Sequence, residues 1–384
     1  MERLKTVLSW NKDWTGLRDP LATRKRKGFL ESIEARKIKH VASRVDDARA
    51  GRMLLAKEIA WPILDELQMI GDIEVTSNPL ALLRLADKPG DNRLITRQRF
   101  EALCLFDLGL IGFELERIDP MRRVQDDVLA LIGLLEEFVF SGDTLELDVH
   151  TYHDAGEVYR VKGISYDVAT PEKFPKLAPR KHYSLCRITN RGIVLQFDVR
   201  AKDRFRTVVK LLKQAERPKE NQDPLLVKDR CGLKFVVQSL EAVNALVEEL
   251  RWHLEACDAV VVADGDNLTV DTGTAADPSN PHSSSKYKMK QLSVFWRGRW
   301  YEFQIVTFAN HYSALYSQDE ENHVLYKLKQ VGKDVFSKLF LGNLYLGEGR
   351  WDDPALKQML YDRQIQNLGW FHERQKRNGN GSKL

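Results

Sequence analysis

The hydrophobic periodicity of the chain changes at Gly142, and this change constrains the fold more than any other feature of the sequence. Before it, apolar residues recur at the spacing of an amphipathic helix, most clearly in Arg123–Phe140. After it, Thr144–His150, Val158–Ile164 and Ile193–Arg200 alternate apolar and polar residues, which is typical of strands. The sequence therefore predicts an α+β protein, in which a helical region is followed by a mixed α/β sheet domain.

The region before Gly142 is predicted to be a helical regulatory or partner-binding domain over residues 1–142. We predict helices over Phe29–Asp47 and Ala48–Asp72, with Pro62 kinking or splitting the second. The helix over Arg123–Phe140 is expected to end at Ser141 and Gly142.

From residue 193 onward, strand and helix patterns alternate. A β-rich connector is predicted over residues 143–190, a sheet domain over 191–345, and a C-terminal helix with a polar tail, disordered from about Arg374, over 346–384. Residues 264–285 are rich in Asp, Gly, Pro and Ser and predict a mobile loop. Beyond Ile193–Arg200, the predicted strands are Gly232–Gln238, Ala259–Ala263, Met289–Arg297 and Arg299–Thr307, and the predicted helical segments are Asp203–Gln214, Ser239–Glu255 and about 308–340.

The amino-acid composition limits the classes of protein to which this chain can belong. The chain has 384 residues, of which 43% are hydrophobic and 30% charged, with a formal net charge of +4. A mild positive charge allows a nucleotide or RNA partner without requiring one. None of the four cysteines forms a CxxC pair, the N-terminal residues lack the apolar core of a signal peptide, and no run approaches about 18 apolar residues. We therefore expect a cytoplasmic protein that binds neither membrane nor DNA.

The strand Arg299–Thr307 has an unexpected polar face. Its apolar side chains alternate with Glu302 and Gln304, which share the opposite face. Asp229 lies just before another apolar strand, and two carboxylates on neighbouring strands are a usual arrangement for Mg²⁺ in phosphoryl-transfer sites. The alternatives are a solvent-facing strand for Glu302 and a turn-capping role for Asp229.

Two basic groups accompany these carboxylates. Arg200, Lys202, Arg206 and Lys210 leave a strand and continue along one helix, which suits a polyphosphate, although basic helix faces are also common in proteins without such ligands. In the second group, lysines surround Tyr287, an arrangement in which the ring stacks on a base while the lysines meet phosphates. A charged edge strand protected from aggregation is the alternative.

The order of these groups resembles the synthetase domain of RelA/SpoT homologues, the nucleotide 3′-pyrophosphokinases that make (p)ppGpp. That family carries RxKxxxSxxxK, DxxGxR, GYxSxH, ExQIRT and HWxYK in this order, and the resemblance covers about residues 190–330. The matching positions, in the same order, are Arg200, Lys202 and Lys210; Asp229 and Gly232; Tyr287; Glu302, Gln304, Ile305 and Thr307; and His323, Tyr326 and Lys327. Departures from the pattern are Arg206, Lys234, Lys286, Gln291, Val306 and Val324.

The resemblance implies a nucleotidyltransferase-like sheet domain that transfers the β,γ-pyrophosphate of ATP to a 3′-hydroxyl. It implies catalytic roles for Glu302, Asp229 and Gln304, with Mg²⁺ held by Asp229 and Glu302. The implied ATP-binding residues are Arg200, Lys202, Arg206 and Lys210. The implied acceptor-binding residues are Tyr287, Lys234, Lys286, Lys290, His311, His323 and Lys327.

The expected acceptor is a guanine nucleotide, GDP or GTP. Two alternatives remain open: the same chemistry on the 3′ end of tRNA, as in toxic small members of the family, or an inactive nucleotide-binding regulatory module. The family's hydrolase domain uses a His-Asp pair, and no such dipeptide occurs in residues 1–142. For this helical region we expect contact with a regulatory protein or with a second copy of the chain.

Overall fold

The computed structural model confirms a mixed α+β protein. The structure describes residues 1–14, 20–60, 76–153, 161–175, 177–216, 227–268, 288–317, 322, 325, 335–345, 351 and 353–379. None of the helices in these ranges combines the length and the apolarity that crossing a bilayer requires. The helices are α1 (Glu2–Leu8), α2 (Pro20–Glu31), α3 (Ile38–Ala60), α4 (Pro79–Ala86), α5 (Arg93–Ile118), α6 (Met121–Phe138), α7 (Arg204–Glu216), α8 (Leu240–Ala256), α9 (Phe308–Tyr316), α10 (Val335–Leu339), α11 (Gly342–Tyr345) and α12 (Pro354–Gly379). The strands are β1 (Phe140–His153), β2 (Val161–Tyr166), β3 (Ala178–Thr189), β4 (Val194–Ala201), β5 (Cys231–Val237), β6 (Val260–Asp266), β7 (Lys290–Trp296) and β8 (Arg299–Thr307).

The chain forms two compact units that are interleaved in sequence. The first, the helical unit, comprises Met1–Arg123, Lys202–Val227 and Gln330–Leu360, and the second, the sheet unit, comprises Val124–Ala201, Lys228–Lys329 and Tyr361–Leu384. These boundaries differ from the linear domain boundaries predicted above. The difference arises because long-range contacts, which define the units, are not encoded in local periodicity.

The core of the helical unit contains paired charges as well as apolar side chains. Arg26 and Asp107 are both fully buried. Arg26 Nε donates to Asp107 Oδ1 at 2.8 Å, and Trp14 Nε1 donates to Asp107 Oδ2 at 2.7 Å. A second buried pair joins Arg52 to Glu101. Charges of this kind are tolerated in a core only when each is compensated.

The predicted boundaries of the N-terminal helices are wrong in part. The helix predicted over Phe29–Asp47 is interrupted, because the Ser32 hydroxyl and N–H bond to the carbonyl of Phe29 and end α2. The next helix, α3, then runs without a break across the predicted boundary at residue 48. The predicted kink at Pro62 lies outside the described residues.

Two further element ends differ from the prediction. Gly142, expected to terminate a helix, lies inside β1 with a φ of 85°, where the pairing of β1 with β3 shifts register. Its positive φ therefore serves this irregularity in the strand pairing and not a helix cap. At the other end of the chain, the backbone of α12 is helical through Gly379, beyond the predicted start of a disordered tail at Arg374.

The sheet unit is built on one eight-stranded sheet with the order β2-β1-β3-β4-β5-β8-β7-β6. Only β5 and β8 are parallel among these neighbours, and the remaining pairs are antiparallel. Strands β1, β2 and β3 continue the same sheet, whereas the sequence predicted a separate connector over residues 143–190. Strand β3 was not predicted, because its sequence APRKHYSLCRIT mixes proline and charges with apolar residues.

The β7–β8 hairpin confirms the prediction of two strands joined at Gly298. Trp296 pairs with Arg299, which leaves a two-residue turn. Arg297 and Gly298 have φ values of 48° and 76°. Two successive positive φ angles are characteristic of a type I′ turn, whose twist matches that of the flanking strands.

The two faces of the central strands differ in character. On one face the rings of Phe197, Phe235 and Phe303 lie in succession, with centroids 5.2 and 5.3 Å apart. The helices α6 and α8 reach this face, since Tyr301 donates to the carbonyl of Asp127 and Lys290 donates to Asn244. The opposite face carries four of the residues that the sequence singled out for chemistry: Arg200, Lys234, Glu302 and Gln304.

Candidate functional site

Polar side chains form two rows across the second face of the sheet, which we call the polar face. The rows follow from the strand register, because residues paired on neighbouring strands project to the same side. The first row contains Arg200 on β4, Gly232 on β5, Glu302 on β8 and Ser293 on β7. The second row contains Asp198, Lys234, Gln304 and Gln291 on the same strands.

The alternation within β8 explains why a buried strand carries Glu302 and Gln304. Tyr301, Phe303 and Ile305 are completely buried, whereas Glu302 and Gln304 are half-buried. The apolar side chains hold the strand against α6 and α8, and this leaves the carboxylate and the amide on the polar face.

Gly232 leaves space next to the Glu302 carboxylate. A Cβ atom built at Gly232 would lie 3.9 Å from Glu302 Oε2 and 3.7 Å from the carbonyl oxygen of Arg200. These are ordinary contact distances, so the fold tolerates a methyl group there. A larger side chain would cover the carboxylate, and the glycine therefore keeps Glu302 accessible.

Asp229 lies on a turn that adjoins the strand of Glu302. The short 3-10 turn Lys228–Arg230 leads directly into β5. Lys228 Nζ lies 4.5 Å from the centroid of the Trp300 ring on β8, which shows that the turn packs on that strand. Asp229 and Glu302 are thus presented by adjacent elements of the sheet unit.

Asp229 and Glu302 offer the type of oxygen ligand that a magnesium ion uses when it also binds substrate phosphates. Mg²⁺ in such sites takes one or two protein carboxylates, and it keeps several waters and phosphate oxygens as its other ligands. Within the described part of the chain, no group of three or more His, Cys, Asp or Glu side chains forms a complete metal site. Any ion at Asp229 and Glu302 would therefore need oxygen ligands from a substrate or from water.

Lys234 supplies a positive charge next to Gln304. Burial lowers the pKa of its ammonium group to about 8, while Asp198 acts in the opposite direction and Arg200 lowers the pKa further. At pH 7 the side chain is therefore still mostly protonated. A cation that is already partly dehydrated is well suited to pair with an anionic ligand.

A group of stacked rings borders the polar face. His182 on β3 stacks on Tyr312 of α9 with ring centroids 3.9 Å apart, and Thr151 lies 2.9 Å from His182 Nε2. His311, at the start of α9, is buried, and its Nδ1 atom makes no hydrogen bond to any of the residues that the structure describes. Burial, followed by the charges of Lys234 and His182, lowers the pKa of His311 to about 3.

The depressed pKa of His311 predicts acid sensitivity. Below pH 6.5 the unfolded chain binds a proton on this imidazole that the folded protein excludes until about pH 3, so the free energy of unfolding falls as the pH decreases across this window. At pH 5.0, about 1.5 units below the unfolded pKa, the expected loss is ~2 kcal/mol.

Urea unfolding at pH 7.0 and 5.0 measures this effect. His311→Phe is expected to lose less stability between the two pH values than the wild type, whereas the control His40→Phe, at an exposed position of α3, should match it. Equal losses in wild type and His311→Phe would contradict the assignment.

Val306 is one of the departures from the motif pattern of the RelA/SpoT homologues, which has an arginine in its place. It is completely buried and packs in a cluster with Val236, Phe308 and Tyr312. The position therefore anchors α9 to the sheet and offers no charge to a ligand.

The predicted ATP-binding residues are divided between the two units. Arg200 belongs to the sheet unit, whereas Lys202 and helix α7, with Arg206 and Lys210, belong to the helical unit. Arg206 is exposed, and its guanidinium group forms ion pairs with Glu58 at 2.6 Å and with Asp203 at 3.5 Å.

The predicted acceptor-binding residues do not all lie at the polar face. Lys234 lies on the polar face, and His311 lies near it. Lys290 pairs with Ile305 and contacts Asp266 at 3.1 Å, which places its side chain on the opposite face from Glu302. Four others lie outside the described residues: Lys286, Tyr287, His323 and Lys327.

Three residues of the polar face were missed by the sequence analysis. Asp198 and Ser293 sit in strands whose alternation alone gives no reason to select them. Asp264 was assigned to a mobile loop over residues 264–285, but it lies within β6.

No family model, no curated protein and no solved structure matches this chain significantly. The function must therefore be inferred from the geometry of the polar face and from the order of the motifs.

Proposed function

We propose that this protein transfers the β,γ-pyrophosphate of ATP to the 3′-hydroxyl of a guanine nucleotide. One observation carries the proposal: Glu302 projects from a strand that is paired in parallel with β5, and β5 begins at the turn that carries Asp229. The order of the motifs along the chain supports the same reaction. We infer a nucleotidyltransferase-like arrangement of the sheet from the same features.

In this proposal Glu302 accepts the proton of the attacking hydroxyl. Gln304, two residues further along the same face, orients that carboxylate or the acceptor ribose. Asp229 and Glu302 would hold Mg²⁺, which would offset negative charge on the transferring group. In-line pyrophosphoryl transfer depends on positioning and charge and needs no covalent nucleophile.

The cations of the polar face have separate roles. Arg200, in the same row as Glu302, flanks the adenine of ATP, and its exposed side chain is available for this contact. Lys234, in the next row, pairs with acceptor phosphates. The role of Lys234 is supported by its position beside Gln304 and by a pKa of about 8, which keeps the group mostly protonated near neutral pH.

The test is a label-transfer experiment with the full chain, Mg²⁺ and γ-labelled ATP, in which GDP, GTP or bulk tRNA is added singly. We expect label in the guanine nucleotide and release of one AMP per transfer, both followed by chromatography. Label in tRNA alone would replace the proposed acceptor with the 3′ end of an RNA. The absence of AMP with every acceptor would overturn the proposed activity.

A further inference from the structure

Asp264 occupies a β-bulge at the edge of the polar face. Ala263 pairs with Leu292 and Gly265 with Gln291, so that Asp264 is the additional residue between two consecutive pairs. A bulge of this kind redirects a side chain away from the regular alternation of the strand. Asp264 itself is exposed.

A buried serine fixes the carboxylate of Asp264. Ser293 is only 4% exposed, and its hydroxyl donates a hydrogen bond to Asp264 Oδ2. Among the described residues, no lysine or arginine forms an ion pair with Asp264, whereas the nearby Asp266 is paired with Lys290 at 3.1 Å. The described residues thus orient the carboxylate without neutralising it.

The register places Asp264 on the same face as Glu302. Ser293 pairs directly with Glu302 on β8, and β6 is the next strand beyond β7. Two strand spacings, about 10 Å, therefore separate the strands that carry Asp264 and Glu302. This is comparable with the distance in a nucleoside from the 3′-hydroxyl to the far edge of the base.

An apolar surface adjoins the carboxylate. Val262 pairs with Ser293, shares the polar face and is 41% exposed. A base needs apolar contact for its ring and hydrogen-bonding groups for its edge, and Val262 and Asp264 provide both.

We propose that Asp264 determines the specificity of the acceptor site by accepting hydrogen bonds from N1–H and the 2-amino group of guanine. This inference rests on the proposed function. Adenine has an acceptor at N1 and no 2-amino group, so a carboxylate at this position disfavours it. Ser293 acts as the positioning residue that holds the carboxylate toward the base.

The test compares GDP, IDP and xanthosine diphosphate as acceptors for the wild type and for Asp264→Asn. An asparagine amide donates to the 2-oxo group of xanthine, which a carboxylate repels. We expect the ratio of kcat/KM for GDP over xanthosine diphosphate to fall by about 10- to 100-fold in Asp264→Asn, mainly through KM. The wild type is expected to prefer GDP to IDP, since inosine lacks the 2-amino group.

Two further variants make the result decisive. Asp258→Asn makes the same charge change at an exposed turn residue, whose φ of 61° is a conformation that asparagine tolerates. It should leave kcat/KM unchanged for each of the three acceptors. Ser293→Ala should weaken the preference for GDP over IDP without favouring xanthosine diphosphate.

If the wild type uses GDP and Asp264→Asn has an unaltered acceptor preference, this inference is overturned while the proposed function stands. If the wild type transfers nothing to a guanine nucleotide, the proposed function itself fails, and this inference fails with it.

Discussion

Replacing Glu302 with glutamine is expected to abolish pyrophosphate transfer and to leave the protein folded. The amide has the same shape, but it neither accepts the proton of the attacking hydroxyl nor binds Mg²⁺ as a carboxylate does. General-base catalysis alone contributes about 10²- to 10⁴-fold, so the rate of label transfer should fall by at least this factor. The fold should persist, because the buried anchors of β8 are its apolar side chains, Tyr301, Phe303 and Ile305.

A matched control separates the chemistry of Glu302 from a general effect of removing a carboxylate. Glu255→Gln makes the same change on the exposed side of α8, where the side chain contacts Arg251 at 3.7 Å. It should retain the wild-type rate of transfer. Thermal unfolding of both variants checks the fold. Near-full activity in folded Glu302→Gln would show that the proposed mechanism is wrong.

The second large effect concerns stability. Asp107→Asn removes the charge that compensates the fully buried guanidinium group of Arg26, while it preserves the shape of the side chain. Removing one partner of a buried ion pair costs about 3–5 kcal/mol. We therefore expect a decrease of this size in the free energy of unfolding, measured by urea denaturation.

The double variant Arg26→Met, Asp107→Leu tests the cause of that decrease. Because it removes both charges together, it should recover most of the lost stability. The double-mutant cycle then gives the interaction free energy between Arg26 and Asp107. Asp126→Asn is the control, since Asp126 is an exposed residue of α6 and should contribute little to stability. A loss in Asp107→Asn no larger than that in Asp126→Asn would contradict the importance of this pair.

The elements that were predicted correctly are those whose sequence patterns lie within the element itself. The β7–β8 hairpin has two alternating runs and a glycine at the turn, and helix α8 follows the N-cap Ser239, whose side chain accepts from the N–H of Ala242. Strand β3 lacks such signals, and its structure depends on extended pairing with β1. The alternation of β8 likewise predicted that Glu302 and Gln304 share one face.

The neighbours of Glu302 were beyond prediction, because strand order is a long-range property. Ser293 faces Glu302 only because β7 follows β8 in the sheet, and Lys234 faces Gln304 only because β5 lies on the other side. Asp264 was missed for a different reason. Its Asp-Gly-Asp context is typical of a loop, whereas here it marks a bulge at the end of an edge strand.

The register of β8 has a consequence for how Glu302 can change during evolution. A slip of one residue would move Tyr301 and Phe303 to the polar face and bury Glu302 and Gln304, at a large cost in stability. A slip of two residues would shift the carboxylate by about 7 Å, which is far from its partners on the neighbouring strands. A change in the register of β8 therefore cannot move the Glu302 carboxylate by a small distance. Fine changes in the position of this carboxylate must come from its rotamer or from the residues around Gly232.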